Sequence, residues 1–279
     1  MAHLNLAFVL DYSFTKVYNK GLEGENMDLL LKLLFLCPAL FAAGLIDGIA
    51  GGGGIISLPA FIMTGIPLNC AYGCNKLQSC LGTSASLYKF AKSGLVDFKT
   101  SLITSITAIS GSYVSTRIIL SLSDSAKSVL IGVFMCVLIA LTILTTKLKS
   151  GENTKITLTN KNIIMCLIAG MFIGLYDGFF GPGGGSFALM IFVLVFSYDV
   201  RTATGNGKVI IVISNIIALI SYISTGNIVY ELAIPATIAN ILGSYLGASL
   251  AVKNGRKLVK PILFVVVTVL VIQGILKLI

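Results

Sequence analysis

The amino-acid sequence predicts an all-α polytopic membrane protein made of two inverted repeats, each with five apolar segments. The observations behind this prediction are the scarcity of charge, the spacing of the apolar stretches, and a glycine-rich motif that occurs twice. Of the 279 residues, 56% are hydrophobic and only 11% are charged, whereas an ordinary soluble domain carries about 25% charged residues. So few charges exclude a soluble enzyme, a disordered chain and a nucleic-acid-binding protein.

The net charge of +9 is a topology signal, because basic residues of membrane proteins concentrate in loops that face the cytoplasm. We therefore expect a multi-pass protein of the plasma (inner) membrane, surrounded by the lipid bilayer. The six cysteines lie in apolar stretches, and the only histidine is His3. A zinc site needs about four close cysteine or histidine ligands, so we expect neither a metal nor a cofactor.

Residues 1–26 form an N-terminal extension. Their apolar part, residues 4–10, is too short to span a bilayer, and it lacks the basic start of a signal peptide. We expect this extension to have little role in function, or to lie as a helix on the membrane surface.

Ten apolar stretches follow the extension. Their approximate limits are 29–50, 54–66, 69–92, 99–121 and 125–146, then 161–181, 184–197, 203–224, 229–251 and 258–278. The second and seventh are too short to cross the roughly 30 Å hydrocarbon core as straight helices. A polar linker, 148–160, separates a first membrane repeat, 27–147, from a second, 161–279. We expect this linker in the cytoplasm.

Each half contains an acid, a glycine cluster and a lysine in the same order. GLIDGIAGGGG at 44–54 matches GLYDGFFGPGGG at 174–185, and GCNK at 73–76 matches GNGK at 205–208. Asp47 thus corresponds to Asp177, and Lys76 to Lys208. Internal repeats with short, glycine-interrupted apolar segments are typical of secondary transporters and indicate where the substrate binds.

Lysine and arginine counts favour one topology. If both short stretches cross the bilayer, each half has five crossings and the halves are inverted. One side then holds twelve basic residues: Lys89, Lys92, Lys99, Lys147, Lys149, Lys155, Lys161, Arg201, Lys253, Arg256, Lys257 and Lys260. The positive-inside rule favours this arrangement, with ten crossings and both termini outside. The alternative is eight crossings plus two re-entrant segments, which divides the charges nearly evenly.

Four charged residues remain within apolar stretches, namely Asp47, Lys76, Asp177 and Lys208. Each costs about 2.5–3.5 kcal/mol at the bilayer centre, so they must pair, face a cavity or lie near an interface. One interpretation is that two acid–lysine pairs hold the halves together. The interpretation we favour is an anion-binding cavity in which Asp47 and Asp177 bind the coupling proton.

The glycine clusters predict broken helices whose amino ends attract anions through free N–H groups. The candidate substrate-binding residues are these glycines, the two lysines and nearby polar side chains. They are Gly51, Gly52, Gly53, Gly54, Asn75, Lys76, Gln78, Thr83, Gly183, Gly184, Gly185, Asn206, Lys208 and Asn215. Thr83 and Asn215 occupy equivalent places, seven residues after their lysines. The glycines could instead serve only tight helix packing.

At these motifs the chain resembles the sulfite exporter TauE/SafE family. The segments that carry the resemblance are GLIDGIAGGGGIISLPA, NKLQSCLGTSAS, GFFGPGGGSFALM and GKVIIVISNIIAL. It covers about residues 27–279, and the closest subgroup is that of the bacterial probable membrane transporters. The resemblance implies movement of small anions such as sulfite or organosulfonates.

The sequence therefore predicts a proton-coupled secondary transporter for a small sulfur-containing anion or carboxylate. An anion channel and a membrane assembly factor without transport remain alternatives. A membrane enzyme finds no support, since the apolar stretches contain no histidine and no G-x-S-x-G motif. The oligomeric state stays open.

Overall fold

The computed structural model describes residues 25–123, 126, 156–179, 181–255 and a few positions between 257 and 268, with side chains from Asp28 onward. These residues form eight helices. They are α1 (Glu25–Ala50), α2 (Gly54–Met63), α3 (Leu68–Lys92), α4 (Phe98–Ser121), α5 (Asn160–Phe179), α6 (Gly184–Phe196), α7 (Val200–Ser224) and α8 (Tyr230–Asn254). The extension 1–26, the linker 148–160 and the stretches 125–146 and 258–278 lie wholly or largely outside the described residues.

The prediction of an all-α polytopic membrane protein is confirmed. The helices coincide, within about four residues at each end, with eight of the predicted apolar stretches. Four described helices are long and apolar enough to cross a membrane, namely α1 from Asp28 onward, α5, α7 and α8. The helices α2 and α6 are apolar but have only 10 and 13 residues, or about 15 and 20 Å.

Helix α4 has a modest mean hydropathy, but the distribution of its side chains is that of a membrane helix. Its inward face carries buried hydroxyl side chains, including Thr104, Ser112 and Thr116. Its outward face carries Leu102 and Ile106, which are 52% and 61% exposed. Such an arrangement inverts that of a soluble protein, because apolar side chains face lipid and small polar ones bond to neighbouring helices.

The two short helices begin where α1 and α5 break. After α1 the chain turns at Gly51, whose φ of +82° is a left-handed conformation that costs other residues strain. After α5 it turns through Gly181–Pro182–Gly183, where φ is +69° at Gly181 and +80° at Gly183. Proline lacks the N–H that a continuing helix needs, so both breaks follow from local sequence.

The halves interlock through glycine-lined helix contacts. Helix α1 packs along α8, and α5 packs along α4, so each pairing joins one half to the other. A Cβ atom on Gly48 would lie 2.7 Å from the Ala248 nitrogen, and one on Gly174 would lie 2.7 Å from the Ala108 Cα. Small residues allow backbones to approach this closely in membrane helices.

Helix α3 lies in the middle of this arrangement, against α7 and α8, while α4 also packs on α7. The short helices are held inside, α2 against α1 and α3, and α6 against α7. Both α3 and α7 therefore carry their lysines into the region where the two helix breaks lie.

Candidate functional site

The ammonium group of Lys76 is buried among three acceptors. Its Nζ donates to the Asp177 backbone oxygen at 2.6 Å, to Asp177 Oδ2 at 2.8 Å and to Asn215 Oδ1 at 2.9 Å. The Ser214 hydroxyl donates to the same Asp177 Oδ2 at 2.6 Å. The side chains of Lys76 and Asp177 are only 1% and 2% exposed. All three N–H groups of the ammonium are thus satisfied in a dry environment.

Lys208 makes the corresponding pair with Asp47. Its Nζ donates to Asp47 Oδ2 at 2.7 Å and also to the Asp47 backbone oxygen. The Thr83 hydroxyl donates to Asp47 Oδ2 at 3.2 Å. The Lys208 side chain is 1% exposed and that of Asp47 is 18% exposed. The structure therefore brings together all four charged residues that the sequence placed in apolar stretches, as two pairs.

Each pair joins the two halves, because the lysine of one half binds the aspartate of the other. Both aspartates lie in the last turn of the helix that breaks, α1 or α5. Their backbone oxygens also accept from the amides of Gly51 and Gly181, each at 2.8 Å. A lysine ammonium at a helix carboxyl end satisfies free carbonyl groups and meets the negative end of the helix dipole.

The two helix breaks touch each other directly. The Ser186 amide donates to the Gly51 oxygen at 3.1 Å, and the Ser186 hydroxyl donates to the Ala50 oxygen at 2.9 Å. A Cβ atom on Gly185 would lie 2.6 Å from the Gly51 Cα. No side chain larger than hydrogen fits at either position without displacing the other backbone.

The remaining glycines of the clusters lie against the same residues. A Cβ on Gly54 would be 2.6 Å from the Pro182 Cα, and one on Gly184 would be 2.5 Å from Asp177 Oδ1. Gly53 is equally close to Asp47, at 2.7 Å from its Cβ. The oxygens of Gly52 and Gly183 accept the first helical hydrogen bonds of α2 and α6.

These breaks leave backbone donors available. Within the part of the chain that the structure describes, the amides of Gly52, Gly53 and Gly54 donate no hydrogen bond, nor do those of Gly183 and Gly185. All five residues belong to the first turn of a short helix or directly precede it. Free amides at a helix amino end are suited to hold an anion.

A neutral polar cluster lies beside the Lys76–Asp177 pair. The Ser57 hydroxyl donates to Asn75 Oδ1 at 2.5 Å, and Gln78 Nε2 donates to the same oxygen at 2.9 Å. Gln78 Oε1 is buried and has no partner among the described residues. Gly181 packs against the Asn75 amide and the Lys76 side chain. Asn75 and Gln78 thus lie close to the starts of the two short helices.

Asn206 takes a different position from the other candidates. Its Oδ1 accepts from the Asp97 amide at 2.7 Å, at the start of α4, and its Nδ2 has no partner within the described residues. In the first half, Cys74 precedes Lys76 by the same two positions and accepts at Sγ from the Val229 amide at the start of α8. Both contacts fasten a lysine-bearing helix to the opposite half.

Asp97 is a further polar centre, which the sequence analysis did not identify. Its carboxylate accepts from the Tyr198 hydroxyl at 2.6 Å and from the Thr100 hydroxyl at 2.8 Å. Burial acts to raise the pKa of Asp97, but the hydrogen bonds from Tyr198 and Thr100 outweigh it and lower the pKa below its ordinary value. The cluster ties the α3–α4 loop to the α6–α7 loop.

The other residues that sequence reasoning missed are Ser57 and Ser186. Each lies in the first turn of a short helix, shortly after the glycines, which is the signal that could have identified them. Within the described residues, no three side chains of histidine, cysteine, aspartate or glutamate lie close enough together to hold a metal ion.

A multi-helical membrane fold with buried charges at two facing helix breaks is the architecture of a membrane transport protein. The chain belongs to the Sulfite exporter TauE/SafE family, whose sequence profile matches residues 36–274. The resemblance seen in the glycine motifs is thereby confirmed.

Similar proteins agree with this assignment. A probable membrane transporter protein of Haemophilus influenzae is 34% identical over 237 residues, which cover 85% of this chain and 91% of the relative. Probable membrane transporter proteins of Sinorhizobium sp and of Escherichia coli strain K12 are each 30% identical. These matches cover 86% and 87% of this chain, and 91% and 88% of the relatives. No solved structure matches the chain significantly. Family and fold together assign the protein to membrane transport.

Proposed function

We propose that the protein is a proton-coupled secondary transporter that moves a small anion across the plasma membrane by alternating access. The proposed substrates are sulfite, an organosulfonate, or a related sulfur oxyanion or carboxylate. The observation that carries this proposal is the pair of buried lysine–aspartate contacts, each of which joins one half to the helix break of the other. On this proposal the protein carries out no catalysis.

The positions of the charges support anion binding. An ionised side chain in the membrane interior is costly, and such residues usually mark a transport pathway. Each lysine binds the aspartate that precedes a helix break, and five glycine amides at the amino ends of α2 and α6 donate no hydrogen bond within the described residues. An oxyanion offers several acceptors in one compact group, so it fits a site made of ammonium and amide donors.

The pairing explains why the anion would move with a proton. Each lysine is bound to an aspartate carboxylate, so an incoming anion meets a second negative charge a few ångströms away. Protonation of the aspartate removes that repulsion and releases the lysine for the anion. Binding of the proton and of the anion then favour each other, which is the thermodynamic requirement for coupled transport.

Alternating access requires two arrangements of the halves about a central site. We include inverted repeats in the proposal, because two similar halves can exchange their conformations and so produce both arrangements. The contact of Lys208 with Asp47 on α1 is one that such an exchange would remake.

The proposal is tested by uptake of radiolabelled sulfite into proteoliposomes, with and without an imposed pH gradient. We expect saturable uptake that rises with the gradient and is lost in Asp47→Asn and Lys208→Gln. The matched control is Lys99→Gln, which changes an exposed lysine in the first turn of α4 and should transport like the wild type.

Two outcomes would contradict the proposal. Uptake that neither saturates nor responds to the gradient would indicate an anion channel. If wild-type vesicles take up neither sulfite, thiosulfate, sulfoacetate, taurine nor small carboxylates, the protein is not a transporter of this class and an assembly role becomes the better explanation.

A further inference from the structure

The two lysine–aspartate pairs differ in one contact, and the sequence explains why. Seven residues after Lys208 stands Asn215, whose side-chain oxygen accepts the third N–H of Lys76 at 2.9 Å. Seven residues after Lys76 stands Thr83, whose hydroxyl instead donates to Asp47 Oδ2. Among the described residues, the Lys208 ammonium makes no hydrogen bond to the Thr83 hydroxyl, and both of its bonds go to Asp47.

Lys208 consequently has one hydrogen-bond donor that no described residue accepts. Both hydrogen bonds found for its ammonium within the described chain go to Asp47, one to the carboxylate and one to the backbone. The ammonium has three N–H groups, so one of them finds no acceptor among the described residues, although the side chain is 1% exposed. A buried, unsatisfied N–H of a charged group is costly unless a ligand completes it.

The pairs also differ in their access to solvent. The Asp47 side chain is 18% exposed, whereas that of Asp177 is 2% exposed. Asp177 is further held by the Ser214 hydroxyl at 2.6 Å, against 3.2 Å for Thr83 and Asp47. Among the described residues, the ion-pair partner of Asp47 is Lys208.

Building on the proposed transport function, we propose that the two pairs have different tasks. The anion binds at Lys208, beside Asp47, and the Lys76–Asp177 pair is a permanent tie between the halves. Thr83 and Asn215 are positioning residues that create this difference. Asn215 accepts the third N–H of Lys76, whereas Thr83 donates to Asp47 and does not accept from Lys208 among the described residues.

The geometry also restricts the class of anion. Within the described part of the chain, Lys208 has one N–H without an acceptor and the Gly53 amide donates no hydrogen bond. Gly53 packs against Asp47. A compact anion with at least two acceptor oxygens can take both donors together. With Asp47 protonated, the site carries the single positive charge of Lys208 and is neutralised by a monoanion, such as bisulfite or a monocarboxylate. A dianion would leave a net charge within the membrane, which is unfavourable.

The test exchanges the two positioning residues and measures sulfite binding to the purified, full-length protein. Binding is followed by the rise in melting temperature as sulfite is added in detergent micelles, with chloride at equal ionic strength as the reference. Thr83→Asn places an amide oxygen where it accepts the free N–H of Lys208, in the manner of Asn215. We expect it to weaken sulfite binding about tenfold, the equivalent of one charge-assisted hydrogen bond.

The companion variants separate this effect from loss of folding. Thr83→Val adds no acceptor and should weaken sulfite binding less than Thr83→Asn. Asn215→Thr should lower the melting temperature of the sulfite-free protein, because it removes an acceptor from the tie, while changing sulfite affinity less than Thr83→Asn. Lys99→Gln serves as the unaffected control.

The inference is overturned if Asn215→Thr weakens sulfite binding more than Thr83→Asn, or if Thr83→Val and Thr83→Asn weaken it equally. Failure of the proposed function looks different. In that case the wild-type protein itself shows neither a thermal shift nor uptake with any anion of the panel, and both proposals fall together.

Discussion

Replacing Gly51 by alanine tests whether contact between the two helix breaks holds the halves together. Gly51 and Gly65 share a φ of +82°, so alanine costs the same backbone strain at either position, roughly 1–2 kcal/mol. Gly65 has nothing within 4 Å of a new Cβ, whereas at Gly51 that atom would lie 2.6 Å from the Gly185 Cα and 2.7 Å from the Ser186 nitrogen. Gly65→Ala is therefore a control that isolates the steric conflict.

The magnitude of that conflict follows from two terms. Overpacking costs about 1–3 kcal/mol, and displacing the hydrogen bond from Ser186 to the Gly51 oxygen adds about 0.5–1.5 kcal/mol. Gly51→Ala should thus be about 2–4 kcal/mol less stable than Gly65→Ala. At about 2–4 °C per kcal/mol, its melting temperature should be roughly 5–15 °C lower.

The assay is heating of the purified protein in detergent, followed by size-exclusion chromatography of what remains folded. If the two variants melt at the same temperature, Gly51 and Gly185 are not in obligatory contact and the described arrangement of the breaks is wrong.

Two further predictions concern other ion and hydrogen-bond contacts. Tyr198→Phe removes a hydrogen bond that lowers the pKa of Asp97, so it should destabilise the protein by about 1–3 kcal/mol at neutral pH. Because a lowered pKa stabilises the fold above the ordinary aspartate value near 4, the difference from wild type in melting temperature should shrink as the pH falls below about 4. Lys76→Met should cost about 3–5 kcal/mol, because it leaves a buried carboxylate unpaired, whereas Lys76→Met combined with Asp177→Leu should recover much of that loss. Equal melting temperatures for that single and double variant would contradict a direct buried pair.

Much of the fold could be predicted because local sequence determines it. The limits of α2 and α6 follow from Gly51–Gly54 and Gly181–Gly185, since glycine and proline end helices whatever surrounds them. The matched acids and lysines were expected to gather because a charge in lipid must find a partner. These residues, together with Thr83, Asn75, Gln78 and Asn215, lie at the breaks in the structure.

The partners of these charges could not be predicted. A repeat shows that Lys76 corresponds to Lys208, but it does not tell whether a lysine binds the aspartate of its own half or of the other. That choice depends on how α3 and α7 cross, which is a matter of tertiary packing. The sequence groups Asn206 with the candidate substrate-binding residues, and it does not reveal that the Asn206 side chain accepts from the Asp97 amide, because that contact also depends on tertiary packing.

The difference between the pairs also required the structure. In sequence, Thr83 and Asn215 are equivalent polar residues, and the sequence predicts that both line one site. Their contacts show that a hydroxyl and an amide oxygen act on opposite members of a pair, one on the acid and one on the lysine. Chemical type, rather than position, therefore makes the two halves different.

The proposed function requires that an anion and a proton bind at the same lysine–aspartate pair. It is tested most directly by calorimetric titration of the purified protein with sulfite in buffers of different ionisation enthalpy, which measures the protons taken up as sulfite binds. We expect net proton uptake in the wild type that is lost in Asp47→Asn. Sulfite binding without proton uptake, or uptake unchanged in Asp47→Asn, would contradict it.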